Sequence, residues 1–444
     1  MTWVFNSNWV IRPEARGALL FHPEDAETVY LDREGLSFLR DVLKGTPFKR
    51  KFPASFFLYL RKERIIVKSR DFAKRSMEDI DRCIETIFED IPNSLSAPET
   101  LHIALTNACD QVCPGCFYSR GRGGTEQFLS TELFEKILNE AERSKVFQFA
   151  FGGGEPLLHP DVLAFVNKTQ KRGIVPNITT NGNLLTPGMA SELKKGKLGQ
   201  LQISLDGSGK EINARTRPNY EQAVQAMETC RTAGLRFGIN ALVTRENFRS
   251  IPSLFAFAKR MGAEGVNLLR PKPPVHSPDW LKNASLAPQE NQELNALLLQ
   301  RAKNGRIAVT LDQSLCFLTR HRTPGELYYN GVWGCGAGRR FLTIDPEGTV
   351  FPCSHFREPV GFAGDFMEAW KNSLLLTEFR LLEKKINGIC RSCRLLSVCR
   401  GCRAVVTELG GDFFDEDPQC PWHFLKGTDL TSEHNGDRYD GFRF

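Results

Sequence analysis

The chain has 444 residues, of which 41% are hydrophobic and 25% charged, a balance that excludes a fibrous or wholly disordered protein. At about 100–200 residues per domain, that length predicts two to four units instead of one core. A formal net charge of +6 is mild for such a chain and by itself gives no reason to expect nucleic acid.

No apolar run approaches the roughly 18 residues that span a bilayer, and the opening MTWVFNSNWVIRPE lacks a basic region followed by an apolar stretch and a cleavage site. A cytoplasmic protein with no membrane partner is expected. Thirteen cysteines in a reducing compartment argue for metal or redox chemistry before disulfides.

In chain order, GALLF and TVYLD, separated by the turn-rich HPEDAE, predict a hairpin. DREGLSFLRDVLKG predicts a helix with Asp32 as its cap, Leu36, Leu39, Val42 and Leu43 at helical spacing, and Gly45 as its stop. RIIVKS closes this small α+β unit near residue 70. SMEDIDRCIETIFED follows as an amphipathic helix, with Cys83 beside Ile80, Ile84 and Ile87 as a core residue, and 91–100, IPNSLSAPET, reads as a linker. The basic runs at 49–51 (KRK) and 61–64 (RKER) are either a solvated face or a groove for an acidic peptide.

From Leu101 the rhythm changes. Six apolar runs, LHIALT, FQFAF, PNITT, LQISLD, FGINALV and GVNLL, alternate with helical segments, which predicts βα units and a parallel sheet. Ligands of such sheets sit at the carboxyl ends of the strands. There the sequence carries a cysteine run, GGGEP, NG and DG in turn. Cys230 lies three residues after Met227 and reads as a small buried hydrophobe, and His159 and His355 as packing or surface residues. Beyond about residue 310 the helical rhythm weakens, a cysteine-rich segment takes over, and 427–444 forms a polar tail.

Two constellations carry chemistry. Cys109, Cys113 and Cys116 place three thiols within eight residues after the first strand. They suit either zinc with a distant fourth ligand, or a [4Fe–4S] cube whose fourth iron has no protein ligand and stays open to a small molecule. The consecutive glycines after the second strand permit a close backbone approach, and Glu155 adds a carboxylate for a cationic amine. Farther on come Cys335, Cys353 (five residues after Gly348), Cys390, Cys393, Cys399, Cys402 and Cys420. Seven cysteines divide poorly into closed four-ligand zinc sites.

CX3CX2C followed by GGEP resembles the radical S-adenosylmethionine superfamily. The resemblance implies a partial (β/α)6 barrel over 96–310. It also implies a cluster on Cys109, Cys113 and Cys116, with Gly153, Gly154, Glu155 and Pro156 as the ledge for the methionyl amine of S-adenosylmethionine. Ser204, with Asp206 nearby, matches the ribose contact, and either Arg215 or Arg217 the carboxylate contact. The residue before the third cysteine, usually aromatic and near the adenine, is here Gly115, which leaves Phe117 or Tyr118 to stack.

The later cysteines are similar to the SPASM extension, placed over 311–426, with two auxiliary [4Fe–4S] clusters. Cys390, Cys393, Cys399 and Cys420 would hold one, and Cys335, Cys353 and Cys402 the other. Two residues, where three are usual, separate Cys399 from Cys402. Cys316 is either a fourth ligand of the second set or a core residue, and in the latter case an iron of that cluster is open.

The arrangement of residues 1–95 resembles a small α+β peptide-recognition element that binds a leader segment as an added strand. The expected fold is therefore α/β: a partial barrel with an N-terminal peptide-binding domain and a C-terminal two-cluster SPASM domain. The implied activity is reductive cleavage of S-adenosylmethionine to a 5′-deoxyadenosyl radical. That radical would form a C–S or C–C crosslink, or another oxidative change, in a ribosomally made precursor peptide, with flavodoxin or ferredoxin as electron donor. Formylglycine formation in sulfatases and haem or quinone-cofactor maturation are the enzymatic alternatives. A zinc-stabilised nucleic-acid module would need interleaved aromatic and basic side chains, of which the sequence offers no clear case.

Overall fold

The computed structural model describes residues 2–45, 54–69, 74–85, 90–118, 125–275, 278–304, 307–319, 322–329 and 332–424. The basic run at 49–51, Ile87 and the tail 427–444 lie outside them. The chain divides into two compact units, Met1–Glu99 and Thr100–Phe444.

In the first unit β1 (Thr2–Phe5), β2 (Val10–Glu14), β3 (Gly17–His22), β4 (Glu27–Asp32) and β5 (Ile66–Ser69) form two small antiparallel sheets. The expected hairpin is β3–β4, in register from Gly17↔Asp32 to His22↔Glu27, and β2 adds to its other side. RIIVKS pairs instead with β1, so it builds a separate two-stranded sheet. Asp32 caps the helix Arg33–Lys44 by accepting from Gly35 N at 2.7 Å, and Gly45 ends it at φ 65°. Leu36, Leu39, Val42 and Leu43 enter the core with Cys83 and Ile80.

Residues 91–99 are no free spacer. Ser96 N donates to Glu14 Oε2 (2.6 Å), and Arg12 donates to both Glu14 Oε1 (2.8 Å) and Pro98 O (2.9 Å), with Arg12 and Glu14 both buried. A buried ion pair persists where hydrogen bonds satisfy its remaining capacity, and here the would-be linker supplies them.

The second unit is built on one sheet. β6 (Thr100–Thr106), β7 (Gln148–Gly153), β8 (Val175–Thr180), β9 (Gln200–Ser204), β10 (Phe237–Leu242) and β11 (Gly265–Leu269) are the six expected strands, side by side and parallel. Helices such as Thr131–Arg143, Tyr220–Ala233 and Ile251–Met261 connect them and bury one apolar stripe each. β12 (Ala308–Leu311) adds in parallel to β11, and β13 (Phe341–Ile344) in parallel to β6. The antiparallel β14 (Thr349–Phe351) and β15 (Gly361–Phe362) complete the order β12-β11-β10-β9-β8-β7-β6-β13-β14-β15 among the described residues. The sheet is thus an open barrel with an edge at each end. Because β12 and β13 pair with barrel strands, residues beyond 310 belong to the same compact unit as the barrel.

The cysteine-rich part has little regular structure. Buried arginines brace its loops: Arg403 donates to Phe413 O (2.6 Å) and Asp415 O (2.7 Å), and Arg380 to Gly338 O (2.8 Å). A guanidinium carries five donors, so one side chain can satisfy several loop carbonyls that no strand or helix serves.

Candidate active site

The carboxyl ends of the strands surround a cavity of about 350 Å³. The loop after β6 enters it first. Thr106 Oγ1 donates to Gln127 O (2.6 Å) and accepts from Ala108 N (3.0 Å), turning the chain into the cysteine run. Cys116 N donates to Cys113 O (3.1 Å), and Cys109, Cys113 and Cys116 all line the cavity.

The loop after β7 is stitched to that run. Gly154 N donates to Thr106 O (2.7 Å) and Glu155 N to Ala108 O (2.8 Å). A Cβ on Gly154 would stand 1.9 Å from Ala108 O, and Gly153, at φ 118°, would bring one within 2.3 Å of Thr106 O. Only glycine lets the ledge approach the cysteine loop this closely. Gly153, Gly154 and Glu155 line the cavity; Pro156 does not, and begins a buried 3₁₀ turn that Glu155 caps through Leu157 N (3.0 Å).

The Glu155 carboxylate is buried and also accepts from Thr180 Oγ1 (2.7 Å) and Asn181 N (2.8 Å). Burial pushes it up to about 7 against the pull of those donors. After β8, Asn181 and Asn183 donate to Asp110 at 2.6 and 2.8 Å, tying a third strand end to the cysteine loop.

Ser204 and Asp206 line the same space from β9. Asp206 is fully buried, accepts from Thr216 Oγ1 and Leu242 N at 2.7 Å each, and is ion-paired with Arg217 Nε at 2.8 Å. The two candidate arginines part company here. Arg217 lines the cavity and its charge acts on Cys113, whereas Arg215 lies outside it, half exposed and paired with Glu246 (3.1 Å). Arg215 thus stands away from the cavity, because the turn at Asn213–Arg217 presents residue 217, not 215, to Asp206.

Phe117 meets the His355 ring at 4.2 Å, and buried Tyr118 lies under Arg357 at 4.7 Å. Trp280, which sequence reasoning missed, packs on Gly115; its only sequence signal is the absent side chain at 115. His159 is a packing residue, its Nε2 at 2.9 Å from Leu129 O.

The opposite wall holds Lys272, Asp312, His102 and Thr343, which the sequence did not single out, together with His355. Lys272 reaches Asp312 at 2.6 Å and Ser314 Oγ at 2.5 Å, and His102, Thr343 and His355 stand near. His355 is thus a cavity residue, held down to about 3 by burial and then by Lys272.

The cysteines from Cys335 to Cys420 fall into two groups. Cys335 and Cys353 pack around one apolar cluster, each feeling the charge of Cys402. Cys390, Cys399 and Cys420 influence one another in the second, and Cys393 packs beside Cys399. Cys316 was a candidate for the first group but sits at the second. Its thiol donates to Val398 O at 2.9 Å, against Cys399 and Cys393, because the 3₁₀ turn Gln313–Thr319 directs it there. Cys83 and Cys230 are buried core residues. Among the described residues no three His, Cys, Asp or Glu side chains gather as a single-ion site; a cube takes one thiolate per iron, so its thiols need not converge on one point.

Residues 103–258 match the radical SAM superfamily, and 335–394 an iron–sulfur cluster-binding domain, SPASM. The chain is 32% identical over 348 residues to mycofactocin maturase MftC of Mycolicibacterium smegmatis, spanning 76% of this chain and 86% of that one. It is 29% identical over 349 residues to PqqA peptide cyclase of Gluconobacter oxydans, spanning 74% and 92% respectively. Its fold is like that of Streptococcus suis SuiB, solved bound to precursor peptide SuiA, with a TM-score of 0.68 at 18% identity over 94% of this chain and 100% of that one. The chain therefore belongs to the radical S-adenosylmethionine superfamily: it is an iron–sulfur enzyme with the SPASM extension.

Proposed function

We propose that this enzyme matures a ribosomally made precursor peptide by an oxidative crosslink, C–S or C–C, or a related change. The single observation that carries the reading is that one cavity joins the Cys109–Cys113–Cys116 loop, the Gly153–Glu155 ledge and Arg217 to Arg270 and Lys272, both of which feel the charge of Cys402. The donor set fits a cluster with one open iron, and the ledge fits an ammonium beside a buried carboxylate. Bound S-adenosylmethionine and the reduced cluster would supply a 5′-deoxyadenosyl radical for hydrogen abstraction.

In this reading the chain binds three [4Fe–4S] clusters. Cys109, Cys113 and Cys116 hold the first, Cys335, Cys353 and Cys402 the second, and Cys390, Cys393, Cys399 and Cys420 the third. Glu155 receives the methionyl amine, Arg217 the carboxylate and Ser204 the ribose. Asp206 spends its oxygens on Thr216, Leu242 and Arg217 and so positions that arginine. Burial of the cavity walls keeps water from the reacting carbon. The clusters held by the later cysteines would supply an acceptor for the electron that the substrate loses along with a proton. Residues 1–99 bind the leader, and a flavodoxin or ferredoxin supplies the first electron. The maturase and cyclase names among the relatives support a peptide substrate.

The test is anaerobic co-expression with a short peptide encoded beside the gene. A peptide mass change with stoichiometric 5′-deoxyadenosine is expected; a mass change without it overturns the reading.

Two site predictions follow from geometry. Arg217→Ala should weaken S-adenosylmethionine binding by roughly 10–100-fold, the value of about 1.5–3 kcal/mol for a hydrogen bond to a charged group, while Arg215→Ala stays within about twofold; equilibrium titration of the reconstituted enzyme decides. Glu155, raised by burial to about 7, is a neutral acid below that pH and a carboxylate above it. Affinity for the ammonium should rise as pH climbs from about 6 to about 8, nearly tenfold per unit on the acid side, and then level. Glu155→Gln should flatten the profile. The sign for stability is opposite: a carboxyl raised above its unfolded value loses stabilisation as pH rises through about 7.

A further inference from the structure

The cavity wall at the third cysteine is held from outside. A Cβ on Gly115 would stand 2.1 Å from Cη2, 2.4 Å from Cζ2 and 2.7 Å from Cζ3 of Trp280. A side chain at 115 therefore requires that indole to move. The indole comes from the helix Pro278–Ala284, on the connection between β11 and β12. Two hydrogen bonds and one buried side chain hold the described part of that connection. Val275 N donates to Cys116 O at 3.1 Å, Arg245 N donates to Ala284 O at 2.9 Å, and Leu281, the residue after Trp280, is fully buried. Gly115 and Cys116 line the cavity and Trp280 does not, so at this point the wall is one backbone thick with an indole behind it.

We propose that Trp280 is a positioning residue of the cofactor site: its indole fills the volume of the side chain that 115 lacks, braces the Cys113–Cys116 turn, and shields the outer face of the cluster loop from water. The inference rests on the reading that Cys109, Cys113 and Cys116 hold the cluster that binds S-adenosylmethionine. Solvent access and hydrogen bonding around the thiolates set a cluster's potential and lability. An indole covers a large apolar area at low entropic cost, and without it water reaches the amides around Gly115. Water dipoles favour the more negative, reduced cluster, so its potential becomes less negative.

The experiment uses the full-length reconstituted enzyme and reads the N-terminal cluster by the change that S-adenosylmethionine makes in its EPR signal. Trp280→Ala should lose the iron of this cluster in air roughly tenfold faster than the wild type, shift its potential to a less negative value, and weaken the spectral response to S-adenosylmethionine. Trp280→Phe should retain most of the wild-type behaviour. Gly115→Phe alone should lose the cluster by collision with the indole, and Gly115→Phe combined with Trp280→Ala should recover it, since one ring then fills the space that two cannot share. Should Trp280→Ala fail to fold, the double variant decides.

A Trp280→Ala enzyme with wild-type iron retention, potential and spectral response overturns the proposal. So does a Gly115→Phe enzyme that keeps its cluster with Trp280 present, or a double variant no better than Trp280→Ala. A wild type whose cluster ignores S-adenosylmethionine overturns the functional reading itself and takes this inference with it. The wild-type control therefore tells the two failures apart.

Discussion

Cys113→Ala should lose the iron of the N-terminal cluster and all cleavage of S-adenosylmethionine, while the iron bound between Cys335 and Cys420 stays. The three thiols of the loop are the only cysteines lining the cavity among the described residues, so no neighbour can replace a lost ligand. Without a metal, burial pushes the Cys109 thiol up to about 12 and raises Cys113 as well, Arg217 opposing the latter. Iron must therefore displace protons to bind, and reconstitution should become more efficient as pH rises. Iron analysis, EPR and chromatography of 5′-deoxyadenosine check the prediction together. Cys230→Ala, a change in the barrel core, serves as the control that keeps cleavage. Cleavage above background in Cys113→Ala would place the open iron elsewhere.

The six barrel strands were legible because short segments rich in apolar residues alternate regularly with helical segments between them. β12 and β13 were not, being only four residues each. Their role is decided by long-range pairing: Phe341↔Thr100 and Ala308↔Gly265 join segments far apart in sequence. The stretch 91–99 shows a different limit. Its Pro, Ser and Asn content correctly predicts irregular backbone, but composition carries no trace of Arg12 and Glu14, which anchor it.

Within the site, the residue types suited to cofactor chemistry stood out by spacing, whereas the choices between neighbours needed the fold. Arg215 and Arg217 are equivalent in sequence until Asp206 selects one. Cys316 reads from sequence either as a fourth member of the Cys335, Cys353 and Cys402 group or as a core residue, until the turn at Gln313–Thr319 points it at Val398. Trp280 left its mark only as a glycine 165 residues away, where a side chain would collide with it.

The largest expected effect on stability is at Asp417, where barrel and cysteine-rich segment meet. Its buried carboxylate accepts from Arg270 at 2.7 and 2.8 Å, from Cys402 N at 2.9 Å and from Gln419 N at 3.0 Å, and its own carbonyl accepts from Cys420 N at 3.0 Å. One side chain thus braces members of both auxiliary cysteine groups against the end of β11. Burial alone would raise this carboxyl, but Arg270 and the amide donors bring it down to about 2. A depressed carboxyl stabilises above its unfolded value, near 3.8, and loses that contribution as pH falls toward 2. Asp417→Ala should destabilise the second unit by about 3–5 kcal/mol, because Arg270, itself 3% exposed, is left as an uncompensated buried charge. Denaturant unfolding measures the loss, and iron release from the cysteine-rich segment should accompany it. Arg270→Met with Asp417→Leu should recover much of the stability, since an apolar pair avoids the desolvation that the ion pair must overcome, yet it cannot restore the acceptor for Cys402 N. Stability regained while iron is still lost would therefore separate the two roles of Asp417, and an Asp417→Ala enzyme within about 1 kcal/mol of the wild type would contradict both.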